Sequence, residues 1–141
     1  MKEKIFYRIA AVLLLLFAVG HTVGFRQTDP SWHVDATVAM MKSVHFDVQG
    51  FNRTYWDFFV GFGLFVTVLQ VFAAIVAWQL GSLPPETLRS VRFLTWAFAA
   101  CFAVVVFLSW RYFFYPPVIF SVLIEVCLVA GAWTSGKPSA T

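Results

Sequence analysis

Charge is scarce in this chain. Of its 141 residues only 12% are Asp, Glu, Lys or Arg, about half the usual share of a soluble domain, and that shortage excludes water as the main solvent. Cysteine is rarer still. Cys101 and Cys127 each sit inside an apolar run without CxxC spacing, so they read as small buried hydrophobes and not as a redox pair. The ligand types His21, His33, His45, Asp57 and Glu125 are present, but no HxxxH, HExxH or ExxH spacing joins them, so no metal site is expected. Glycine-rich phosphate loops and haem or dinucleotide fingerprints are also missing, and the sequence names no cofactor. The ten basic residues are scattered near the ends of apolar runs, with no basic stretch interleaved with aromatics. The net charge of +3 therefore reads as membrane orientation rather than nucleic-acid binding.

What the chain has instead is apolar and aromatic. Hydrophobic residues make up 60%, with 17 Phe and 6 Trp, and the mean hydropathy is +0.79. Four apolar runs are each long enough to cross a ~30 Å hydrocarbon core at ~1.5 Å per residue. They predict transmembrane helices over about 5–25, 54–80, 87–112 and 116–134. The expected fold is an all-α membrane protein, a four-helix up-down bundle forming one domain over 1–141. The first run ends at His21, Phe25 and Arg26 with no small-x-small cleavage site, so it reads as an uncleaved helix rather than a signal peptide. The small, polar stretch 135–141 reads as a frayed end.

Between the first two runs lies the one long polar connection, 26–51. Asp29-Pro30 is a helix start, with an acceptor followed by proline at the first helical position. Val34, Val38, Met41, Val44 and Val48 recur at helical spacing, and Gly50 would close the segment. The expectation is an amphipathic interfacial helix of about 15 residues. Thr54-Tyr55-Trp56-Asp57 has the shape of a capping box, with Asp in place of Glu or Gln, and Arg53 lies four residues before Asp57. Gly20/Gly24 and Gly61/Gly63 offer surfaces on which a neighbouring backbone, including that of a second copy, can approach closely. Gln70 is expected to bond to another helix. The larger basic set (Lys2, Lys4, Arg8, Arg89, Arg92, Lys137) flanks the short loops and termini, which places both termini in the cytoplasm and the 26–52 loop outside.

One residue organises the functional reading. Glu125 is the single carboxyl group of the fourth run, and an ionised carboxylate at the bilayer centre is costly enough to face a protein interior and seek a partner. His21, Asp57 and Arg111 stand near the outer ends of the other helices. Together they predict an outward-facing polar pocket lined by Glu125, His21, Arg111, Asp57, Arg53 and Ser121. Glu125 would be general acid, base or proton site, and His21 or Arg111 its charge partner. The structural alternative is that these pairs only serve packing. Ser121, one turn before Glu125, has no base arranged for nucleophilic chemistry, and a contact with Glu125 accounts for it. The pocket would bind or convert a small lipophilic molecule, with membrane lipids as surroundings. A proton-coupled small transporter and an accessory subunit of a membrane complex are the other classes this pattern fits.

Gly20-His21-x-x-Gly24 and Arg53-Thr54-Tyr55-Trp56-Asp57 resemble the corresponding helix ends of small bacterial four-helix membrane proteins of unassigned function. That resemblance implies a four-helix integral membrane protein and carries over no activity; the expected location is the inner membrane. In size and layout the chain is also similar to the sterol-isomerase-like four-helix fold, which uses intramembrane acids on lipophilic substrates. It is similar again to the DoxX-like family of redox-associated membrane proteins. The signature residues of neither group have placed counterparts here.

Overall fold

A computed structural model describes residues 2–135, with side chains from residue 4. The expected frayed stretch lies outside the described residues apart from Ser135. Of the described residues 81% are helical, with α1 (Lys2–Gly24), α2 (Asp35–Ser43), α3 (Tyr55–Leu80), α4 (Pro85–Ser90), α5 (Arg92–Tyr112) and α6 (Tyr115–Ser135). Four of these, α1, α3, α5 and α6, are long and apolar enough to cross a membrane. Their outward faces carry large apolar side chains such as Phe62, Phe65, Phe93 and Val126, which is the surface that a lipid solvent selects.

The expected interfacial helix is corrected. Asp29 does start a helix, accepting from the Ser31 N–H at 2.8 Å, but only a 3-10 turn, Pro30–Trp32, which His33 ends at φ 52°. Contact with Ser31 holds the Asp29 carboxyl below its ordinary range. The amphipathic helix proper is the nine-residue α2, on which Val38 and Met41 are half-buried. Beyond it the backbone becomes an antiparallel hairpin, β1 (His45–Val48) and β2 (Phe51–Thr54), in the register His45↔Thr54 to Val48↔Phe51. Gln49 and Gly50 have φ of 51° and 86°, the two positive values that a two-residue I′ turn requires. Gly50 is thus a hairpin turn rather than a helix stop. Phe46 is half-buried against Tyr55 and Phe58, so the segment is fixed by strand alternation and not by a continued 3.6-residue period.

The third expected helix is also divided. Val91, at ψ 21°, leaves helical geometry and separates α4 from α5.

The described chain forms two compact units. One comprises residues up to Phe17 and from Gln70 onward, and the other is Ala18–Leu69. The buried core lies in the first: Tyr7, Ala10, Ala11 and Leu14 of α1, Ala74, Ala77 and Leu80 of α3, Leu88 of α4, Ala99 and Phe102 of α5, and Ile124 and Leu128 of α6. Small residues bring the helices close. A Cβ on Gly131 would stand 2.8 Å from Tyr7 Cζ, whereas one on Gly20 would meet nothing. Stacking of Phe17 on Phe120, 5.4 Å between centroids, adds a second α1–α6 contact. The two contacts fix α1 and α6 antiparallel.

In the second unit, α1 meets α3 through a hydroxyl cluster. Thr22 Oγ1 donates to the Ala18 carbonyl at 2.7 Å and lies 2.9 Å from Thr67 Oγ1. His21 Nδ1 is 3.2 Å from the same Thr67 oxygen. Thr67 has one proton and two acceptors for it, the Thr22 oxygen and, at 3.3 Å, the Gly63 carbonyl, so the cluster closes on groups of α1 and α3 alone. Phe25 covers Gly63 so closely that a Cβ there would clash with its ring.

Gly131→Ala is expected to destabilise by about 1–3 kcal/mol through overpacking on Tyr7. Gly20→Ala, in open space, should be neutral or slightly stabilising. Thermal unfolding of the detergent-solubilised variants checks the contrast.

Candidate functional site

Each expected site residue can be located by the helix that carries it. Asp57 is in the first turn of α3 and closes the capping box. Its Oδ2 accepts from the Thr54 N–H at 2.8 Å and from Thr54 Oγ1 at 3.0 Å, while Thr54 Oγ1 accepts from the Asp57 N–H at 3.1 Å. Arg53 is near enough for Coulomb attraction but spends its guanidinium on the Asn52 carbonyl at 2.7 Å and the face of Phe51. Asp57 thus serves the helix start, one of the two readings its sequence allowed. In the hairpin, His45 Nδ1 donates to Asn52 Oδ1 at 2.8 Å, and Asn52 Nδ2 donates to Asp47 at 3.2 Å.

His21 is half-buried, bonded to Thr67 and stacked on Phe25 at 5.1 Å. Because it meets α3 at Thr67, it stands ten residues along that helix from Asp57, about 15 Å at ~1.5 Å per residue. The common level expected for His21 and Asp57 is therefore corrected. Helix α3 begins well beyond the end of α1, a length difference that hydropathy does not show. Arg111 is exposed in the last turn of α5, its guanidinium 5.3 Å from the centre of the Tyr112 ring in a cation–π contact. It forms no ion pair with Glu125, nor does any other described residue. Ser121 is buried, and its hydroxyl donates to the Val118 carbonyl at 3.0 Å rather than to Glu125.

Glu125 stands ten residues from either end of α6, at the middle of that helix rather than in an outer half. Its Oε2 is sealed from solvent and has no hydrogen-bond partner. Two further groups share this condition: the Tyr7 hydroxyl and Gln70 Oε1. Tyr7 at least has polar neighbours, Thr95 and Ser135, whose hydroxyls are committed to the Arg92 and Gly131 carbonyls at 2.8 and 2.6 Å. Gln70 does not make the interhelical bond expected of it.

Depth can be compared through α1. Arg8 lies over Trp78, and Gly81 lies against Lys4 and Tyr7, which sets Gln70 near the level of residue 16 of α1. Phe17 on Phe120 and Tyr7 on Gly131 set Glu125 near the level of residues 12–13. The two orphaned oxygens differ by about one helical turn, ~5 Å. Gln70 is the deeper of the two amides in the 54–80 apolar run, Gln79 standing at its end, and the sequence assigns it to helix packing.

No cluster of three or more His, Cys, Asp or Glu able to hold a metal occurs among the described residues. Both cysteines are free, and Cys101 is exposed rather than buried. Of the residues expected to line the polar pocket, only Arg53 lines either of two cavities at the surface of the described residues. One, about 240 Å³, is an open depression lined by Val48, Gln49, Phe51, Arg53 and Phe58. The other, about 190 Å³, is wholly apolar and lies between α1 and α3. Of the glycine surfaces, Gly20, Gly24 and Gly61 are open and Gly63 is covered by Phe25. No family model, curated protein or solved structure matches the chain, so the likeness of layout transfers neither activity nor site residues.

Asp57→Ala should lower the melting temperature measurably by opening the capping box. Asp57→Asn should cost less, and Arg53→Ala should leave the melting temperature within error.

Proposed function

We propose that the chain is an integral membrane protein in which α1, α3, α5 and α6 span the bilayer in up-down order. Both termini would lie on the cytoplasmic side, with the hairpin segment outside. Its function would be to bind or convert a small lipophilic molecule at Glu125. The observation that supports this reading is the Glu125 oxygen, buried and unbonded at the middle of a spanning helix. A polar group at that depth without a partner costs several kcal/mol, and intramembrane carboxyl groups that persist mark functional sites by default.

The chemistry of the orphaned pair suggests the ligand. Gln70 Oε1 accepts hydrogen bonds, and a carboxyl group accepts or, when protonated, donates. A lipophilic molecule with a hydroxyl or amine would satisfy the open Glu125 oxygen, reaching it from the side on which Glu125 is only half-buried. Glu125 would then be positioned to take or give a proton at that group. His21, Asp57 and Arg111, each engaged elsewhere, take supporting roles in folding and anchoring under this reading.

Native mass spectrometry of gently extracted protein tests the proposal, with wild type beside Glu125→Gln and Gln70→Leu. A discrete bound mass is expected on wild type and should fall roughly tenfold or more in Glu125→Gln, the worth of one hydrogen bond to a charged group. Identical bound masses in all three proteins would remove Glu125 from the function and favour an accessory, structural role. Reporter fusions at the C-terminus and within 26–52 should give opposite accessibility in intact cells.

A further inference from the structure

The apolar groove between α1 and α3 has a cation at its end. Ala11, Val12 and Leu15 form one wall, and Ala74, Ile75 and Trp78 the other. Arg8, one turn before Ala11, holds its guanidinium 5.2 Å from the centre of the Trp78 ring. The Arg8 side chain is exposed, and no carboxylate pairs with it among the described residues. Lys4 lies one further turn towards the helix start. Every residue of this arrangement belongs to the first unit.

The geometry points to a binding site for one anionic phospholipid, with its phosphate on Arg8 and one acyl chain along the groove. Three features support that occupant. From Arg8 to Leu15 the face runs for about 10 Å, two-thirds of the ~15 Å that one leaflet contributes to the hydrocarbon core. The slot has no polar lining, so it rewards a hydrocarbon chain and nothing more polar. Arg8 is an uncompensated charge at the helix end where headgroups lie, held in place by cation–π contact with Trp78. An anionic headgroup complements that charge, and a zwitterionic one largely cancels it. A partner helix fits less well, because the six residues that line the groove fall well short of the roughly 20–30 residues a side of a stable protein interface. This site is independent of Glu125, which lies on α6.

The test is reconstitution into vesicles of equal parts phosphatidylglycerol and phosphatidylethanolamine, followed by mild extraction and native mass spectrometry. Wild type should retain phosphatidylglycerol in preference to phosphatidylethanolamine. Arg8→Gln should lower that preference about fivefold, the worth of one basic side chain at an anionic membrane surface, and Arg8→Lys should keep most of it. Val12→Trp, at a half-exposed position, leaves the charge and fills the slot, so it should abolish retention while the helical circular dichroism is unchanged. Glu125→Gln should leave the preference as in wild type, which separates this inference from the reading of Glu125. An unchanged preference in Arg8→Gln overturns the proposal. So does retention in Val12→Trp, or a wild-type spectrum in which a second copy of the chain takes the place of lipid.

Discussion

A hydroxyl or amide in hydrocarbon has no water to turn to, and it must find its partner within the chain. The Ser and Thr side chains of the long helices meet this constraint locally. Thr22, Thr95, Ser121, Thr134 and Ser135 each donate to a carbonyl three or four residues earlier. Such back-bonds cost the helix little and keep the polar atoms satisfied within apolar surroundings. Against that background the unsatisfied groups are few and informative. The Tyr7 hydroxyl, Gln70 Oε1 and Glu125 Oε2 all belong to the unit that contains the buried core. The polarity of the protein is therefore divided. The hairpin unit satisfies its groups in closed local networks, and the core unit leaves oxygens open.

The division explains why the ionisable residues separate by role. Asp57, His21 and Arg53 each have short-range work that follows from their immediate neighbours in the chain or across one helix pair. Glu125 has none. Its neighbours on the same stripe of α6, Ser121 and Leu128, offer it respectively a hydroxyl already committed and a methyl group. An acid in that setting is either matched by something outside the polypeptide or is a standing cost to the fold.

The long helices were legible in the sequence because each is a sustained apolar run with clear boundaries, and the four spans agree with 5–25, 54–80, 87–112 and 116–134 to within a few residues, α4 apart. The capping box was legible because Thr54 and Asp57 carry their geometry in their spacing. The hairpin was not. Val34, Val38 and Met41 set a helical period, and Val44 and Val48 extend it by coincidence, since residues four apart also share a strand face. The competing signals were the alternation His45-Phe46-Asp47-Val48 and the two-residue turn Gln49-Gly50. Relative depth was illegible for a different reason. It depends on how far one helix slides along another, which Thr67, Phe17 and Gly131 decide through contacts that no single run of sequence reveals.

The placement of Tyr7 against Gly131 has a consequence for biogenesis. The core unit is discontinuous in the chain, its first helix separated from the rest by the whole of Ala18–Leu69. Loop closure over so long a separation is slow and must await the last segment. While a ribosome is still extending the chain, the face of α1 bearing Tyr7 has no α6 to receive it, and Glu125 is the last carboxyl side chain to emerge. Assembly of the core is thus postponed until synthesis of α6, so the nascent protein passes through a stage in which the hairpin unit has all its residues and the core unit does not.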